Sequence, residues 1–199
     1  MIMTYNDIYL KNRIVANIPL VFEGRKLPKS EVASVMLARI AYDKRVQEFE
    51  EIKKEIEKGL KKEGFDDRAH AIAEMESVDA RVKAAKEWKK GQKGEDGKPV
   101  EKPEMPSDEE LKKADETRAT KEDFEAEIKE LKENCEVTIK KKAEEKVEVK
   151  NGMFSRSEYA EICEVIGYEG EIEVSGFADV PVKIPREEFL GMIAAHLVQ

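Results

Sequence analysis

The chain has little of what staples small secreted domains together, and none of the long apolar runs that cross a membrane. Only Cys135 and Cys163 occur among its 199 residues, in no Cys-x-x-Cys spacing, so no disulfide framework is expected. No stretch approaches the roughly 18 consecutive apolar residues of a spanning helix. The opening MIMTYNDIYLKNRIV has no basic region followed by an apolar one, so no signal peptide is expected. A Gly-rich phosphate loop, HExxH, GxSxG and the kinase signatures are all missing from the sequence. Together these absences weigh against an enzyme and against a membrane partner. The expected setting is intracellular and reduced: the cytoplasm, or the interior of a virion or other intracellular assembly. A formal net charge of -8 makes nucleic acid an unlikely partner, because phosphate must be met by net positive charge.

What the chain does have is charge, unevenly spread. Between Arg45 and Lys150 about half of the residues are Asp, Glu, Lys or Arg, against about a quarter in the two flanks. The flanks also hold most of the aromatic rings: Tyr5, Tyr9, Phe22 and Tyr42 on one side, Phe154, Tyr159, Tyr168, Phe177 and Phe189 on the other. Rings dominate core energetics, so the densest core is expected to join residues far apart in sequence.

The flanks repeat one another. LPKSEVASVM at 27–36 is echoed by IPREEFLGMI at 184–193. Earlier in each flank, Thr4 with Asp7 and Ser155 with Glu158 have capping-box spacing, in which hydroxyl and carboxylate satisfy amides of the first helical turn. The first helix is expected to run to about Val15, and its counterpart to stop at Gly167. A hairpin follows in each case, turning at Glu23-Gly24 in one and between Ser175 and Pro181 in the other. Pro28 and Pro185 then open the second helix of each flank, with Glu31 and Glu188 suiting its N-terminal dipole. In this alignment Val32 answers Phe189, Val35 answers Met192, Met36 answers Ile193 and Ile40 answers Leu197. The match reads either as a structural duplication or as shared capping chemistry.

The middle is expected to leave this head and return to it. From Val32 the apolar positions continue through Val35, Ile40, Tyr42, Val46, Phe49, Ile52, Ile56 and Leu60, with steps mostly of three or four, predicting a helix to about Glu63. Asp66 or Asp67 begins another, with Ile72, Met75, Val78, Val82 and Trp88. Residues 91–106 read as a flexible loop, and Ser107 with Glu110 and Thr120 with Asp123 as further capping boxes. Beyond them Phe124, Ile128, Leu131, Cys135 and Thr138 or Ile139 form a seam of coiled-coil spacing that reaches toward Val147.

Candidate chemistry is sparse. Asp66, His70 and Glu74 are spaced to present a metal-binding face, although a solvated face of a highly charged helix is the simpler reading. Cys163 and Cys135 sit at apolar positions and read as small buried hydrophobes, and a Cys163–His196 nucleophile would need an orienting partner. Lys89, Lys90 and Lys93, and Lys140, Lys141 and Lys142, are basic clusters closely interleaved with acids. Trp88 reads either as closing a small core or as an exposed anchor for a partner.

The expected fold is therefore α+β and mostly helical. A small globular head of two helix-hairpin-helix halves, 1–44 and 150–199, holds a charged helical-hairpin arm, 45–149, inserted between them. No catalytic, cofactor or metal site is assigned. The expected role is a non-enzymatic structural or protein-protein interaction component of a larger assembly, such as a phage-type virion protein or assembly factor. Its expected partners are other protein subunits, including copies of itself bound through the arm. The alternative is a nucleic-acid-associated regulator using the basic ends of the arm, and an enzyme centred on His196 is a third reading.

Overall fold

A computed structural model describes residues 1–88, 102–175 and 180–199. The chain is α+β and mostly helical. Its elements run β1 (Ile2–Thr4), α1 (Tyr5–Ala16), β2 (Val21–Phe22), β3 (Arg25–Lys26), α2 (Lys29–Leu60), α3 (Phe65–Glu87), α4 (Asp108–Ala119), α5 (Lys121–Ala143), β4 (Lys146–Glu148), α6 (Arg156–Ile166), β5 (Glu171–Ser175), β6 (Pro181–Pro185) and α7 (Arg186–Leu197). Two compact units result: Met1–Ile56 with Val137–Gln199, and Glu57–Glu136. The loop expected at 91–106 lies largely outside the described residues, as does most of the second hairpin's reversal with Phe177.

In the first unit both flanks feed one core. Tyr5, Ile8, Val15, Val35 and Tyr42 from the N-terminal side are buried together with Phe154, Ile162, Ile166, Phe189, Ile193 and Leu197 from the C-terminal side. Backbone pairing ties the same flanks. β1 runs antiparallel to β4, with Met3 opposite Val147, and Phe154 forms a parallel bridge with Val198. The sequence pattern offered no sign of β1 or β4. The pairing explains why α5 stops at Ala143 and does not continue to Val147, whose backbone is taken by Met3.

Helix starts follow the capping logic. Thr4 with Asp7, Ser155 with Glu158 and Ser107 with Glu110 all form reciprocal capping boxes. Thr120 does not: its hydroxyl donates to the carbonyl of Thr117, closing α4 instead of opening α5. In the first hairpin Glu23 and Gly24 both take positive φ, 49° and 77°, the conformation a two-residue turn needs for its twist to match the paired strands. Helix ends in this unit draw on basic side chains. Arg39 donates to the carbonyls of Val15, Ala16 and Ile18 past the end of α1. Arg25 and Arg186 reach Glu164 and Ile166 at the end of α6, and Lys11 reaches His196 in α7. Each places positive charge near a negative dipole end.

The apolar correspondence expected between α2 and α7 is not kept. α7 buries Phe189, Leu190, Ile193 and Leu197, whereas α2 buries Val35, Ala38 and Tyr42 and leaves Met36 and Ile40 exposed. The two prolines therefore align the helix starts but not the faces. A two-residue offset turns a helix by about 200°, enough to exchange the buried side for the open one.

The second unit has a far smaller core, in which Met75 and Val78 of α3 meet Ala114 of α4, flanked by Ile72 and Leu111. Exposed ion pairs run around it: Glu76 to Lys121 at 3.0 Å, Asp79 to Arg118, Arg81 to Glu110, and Glu74 to Lys113 at 2.7 Å. From Glu76 through Asp79 to Arg81 the partners run back along the chain, from Lys121 at the start of α5 to Arg118 and Glu110 of α4, as in an antiparallel pair, while Glu74 reaches Lys113 out of that order. Near the start of α3, Phe65 packs on Phe124 of α5 with centroids 5.0 Å apart, and Arg68 forks onto both oxygens of Glu127 at 2.7 and 2.9 Å.

Candidate functional site

The residues singled out for chemistry are mostly engaged elsewhere. His70 is exposed and its Nε2 lies 3.1 Å from one oxygen of Glu74, but the other oxygen of Glu74 accepts from Lys113, and Asp66 is held by Lys61 at 3.0 Å. The spacing that aligns Asp66, His70 and Glu74 on a helix face does not converge them, because each carboxylate turns to a nearer ammonium. Among the described residues no group of three His, Cys, Asp or Glu is arranged to hold a metal ion.

Cys163 is buried on α6, with Tyr159 beside it; burial, and then that thiol, push the Tyr159 phenol above its ordinary range. His196 belongs to different surroundings. Its carbonyl accepts from Lys11, and its ring lies near Asp7, whose carboxyl is held low chiefly by hydrogen bonds from Thr4. No hydrogen bond joins Cys163 to His196 among the described residues, so the Cys-His arrangement is not assembled. Cys135 is half-buried on α5, where burial and then Glu57 push its thiol up and away from the reactive thiolate.

Of the basic clusters, Lys89, Lys90 and Lys93 lie outside the described residues. Lys140 and Lys141 are exposed, while Lys142 is tied to Glu145 at 2.7 Å. Trp88 follows directly on the end of α3, half-buried.

One polar constellation in the first unit was missed by the sequence reading. The Tyr9 hydroxyl donates to Glu50, and the Lys53 ammonium donates to Glu50 at 2.7 Å and to Tyr9 at 3.2 Å. That ammonium also stands 5.1 Å from the Tyr9 ring centre and 5.0 Å from that of Phe49. Phe49 in turn stacks on Tyr5 at 4.3 Å. Burial, reinforced by Glu50, pushes the Tyr9 phenol up, while bonds from Lys53 and Tyr9 hold the Glu50 carboxyl below the usual carboxylate range. For Lys53 burial acts downward, but its bonds to Glu50 and Tyr9 outweigh it and the pKa is raised. All three groups are thereby fixed in their ordinary protonation states at neutral pH. The cluster clamps α1 to α2 and supplies neither a poised base nor a nucleophile. Phe49 and the Glu50–Lys53 spacing were visible in the sequence, but Tyr9, 41 residues from Glu50, carried no local signal.

An apolar groove beside α1 is lined by Leu10, Ile14, Val182, Ile184, Phe189 and Met192, with Arg13 and Glu188 at its margin. It holds no cluster of ionisable groups suited to catalysis. No family model matches the chain, nor does any curated protein or solved structure.

Proposed function

We propose that the protein is a non-enzymatic, protein-binding component of a larger assembly, of the kind a phage-type virion or its assembly machinery uses. In this reading 1–44 and 150–199 make a head of two helix-hairpin-helix halves, and 45–149 is a charged helical-hairpin arm that meets other subunits. The supporting observation is the apolar seam of α5. Of Phe124, Ile128, Leu131, Cys135, Thr138 and Ile139 only Phe124 is buried; the rest stay half-open, and Val137 beside them is 51% exposed. An apolar stripe at coiled-coil spacing that remains half-open over several turns has contact surface left for another protein.

The exposed pair Lys140 and Lys141 favours a second reading, a nucleic-acid-associated regulator. Fluorescence anisotropy with generic duplex DNA and with RNA, over a salt series, separates the two. The proposed function predicts no binding at about 0.15 M salt. Tight binding that collapses as salt rises would transfer the role to the lysines and overturn it.

A further inference from the structure

Among the described residues β5 and β6 pair only with each other, so each strand has an outer edge, and an open edge is a template for any further strand. β6 is β-branched at Val182 and Ile184 and exposed at every position but Ile184. Such a strand invites pairing with a second copy of itself.

The register fixes which main-chain groups face outward. One step beyond the pair Glu171 with Pro185, the carbonyl of Gly170 accepts from the amide of Arg186 at 3.0 Å. Opposed residues of an antiparallel pair alternate between bonding to each other and turning N–H and C=O away. Counting from Gly170 and Arg186, Ile172 with Ile184 and Val174 with Val182 bond across the ribbon. Glu171 with Pro185, Glu173 with Lys183, and Ser175 with Pro181 turn outward. Ser175 agrees: its amide donates away from β6, to Oδ1 of Asn17 at 2.7 Å.

The outward positions of β6 are therefore Pro181, Lys183 and Pro185. Two of the three have no N–H to offer, and the third carries a charge. On β5 side chains do the same work. The Asn17 carboxamide takes the Ser175 amide and reaches its carbonyl at 3.5 Å, while Nε of Arg186 donates to the Glu171 carbonyl at 3.3 Å. Glu173, the remaining outward residue of β5, is charged and exposed.

We propose that the ribbon is closed to further strands, and that Pro181, Lys183 and Pro185 keep β6 from pairing edge to edge with a second copy of the chain. This closure is independent of what the helical arm binds.

Two measurements test it. Amide hydrogen exchange on the full chain, followed by NMR, is expected to show Val182 and Ile184 protected and Lys183 exchanging nearly as fast as in an unstructured peptide. A protected Lys183 amide overturns the proposal, because the outer edge would already be covered. Sedimentation velocity then compares the unsubstituted chain with a double variant, Pro181→Thr with Pro185→Thr, at matched concentrations from about 10 to 500 µM. Threonine suits a strand at 181 and a helix cap at 185, so the fold is expected to survive, which circular dichroism checks. The two restored donors are expected to lower the concentration at which the chain associates about tenfold, with the Lys183 amide becoming protected. Adding Lys183→Thr is expected to lower it further. Unchanged association of the folded variant, or association that leaves Lys183 unprotected, overturns the proposal, since the prolines would then be merely tolerated at an edge. If the double variant loses its helicity, Pro181→Thr alone is read in the same way.

Discussion

The hydroxyl of Tyr42, on α2, donates to the carbonyl of Gly152 at 2.7 Å across 110 residues of sequence, and the bond is buried. Burial pushes the phenol's pKa well above its ordinary value, so it remains a donor at every accessible pH. Gly152 is the partner because nothing larger fits: a Cβ there would lie 2.7 Å from the Tyr42 oxygen and 2.8 Å from the carbon bearing it. Tyr42→Phe leaves a buried carbonyl unpaired and is expected to cost about 1–3 kcal/mol. Gly152→Ala, which forces ring and backbone apart, is expected to cost at least as much. Urea unfolding monitored by circular dichroism measures both, and wild-type stability in either variant would contradict the contact.

Tyr42 also marks where the sequence was legible. Its place in an apolar series with three- and four-residue steps predicted a buried helical position, and the ring content of the flanks predicted that its partners would come from the far end of the chain. Capping boxes at Thr4, Ser107 and Ser155 were equally readable, because a hydroxyl and an acid three residues apart act locally. Long-range main-chain pairing was not: Met3 meets Val147 through backbone atoms that every residue carries. The Tyr9–Glu50–Lys53 clamp stayed hidden for a related reason, since two of its members lie on one helix and the third arrives from another. The metal-like spacing of Asp66, His70 and Glu74 does not bring all three together, because helical periodicity fixes which residues share a face, not which neighbour each charge prefers.

Arg186 is engaged on several sides at once. Its guanidinium donates to the carbonyls of Ile166 at 3.1 Å and Glu171 at 3.3 Å, pairs with Glu23, and lies 4.6 Å from the Phe22 ring centre. A lysine keeps the charge but cannot bond several partners from one planar group. Arg186→Lys is therefore expected to destabilise by about 1–2 kcal/mol, close to the effect of Arg186→Ala. Thermal melts of the two variants decide this, and full rescue by lysine would show that charge alone matters.

Among the described residues Glu110 is a carboxylate strongly shifted by its surroundings. The Arg81 guanidinium, aided by the backbone amide and hydroxyl of Ser107, lowers its pKa from 4.5 to about 2. A depressed folded-state pKa means that the stabilising contribution is present above 4.5 and is lost as pH falls toward about 2. Carboxyl carbon shifts followed by NMR should show Glu110 still ionised at about pH 3. Arg81→Ala should move its midpoint back toward 4.5. A midpoint already near 4.5 in the unsubstituted protein would mean that the α3–α4 ion pair does not form in solution.

Hydrogen exchange should separate the two units. The protection of α6 and α7 rests on a core that includes Phe154, Ile162, Phe189 and Leu197, whereas that of α3 and α4 rests on Met75, Val78 and Ala114 with exposed ion pairs around them. Exposed pairs contribute little and are screened by salt, so the α3–α4 amides are expected to open at lower free energy. Raising salt to about 0.5 M should speed their exchange further while leaving α6 and α7 unchanged. Met75→Ala should have the same selectivity, because it empties the smaller core alone. Equal protection of α3 and α7, insensitive to salt, would show that burial around Met75 outweighs the ion pairs in holding the second unit.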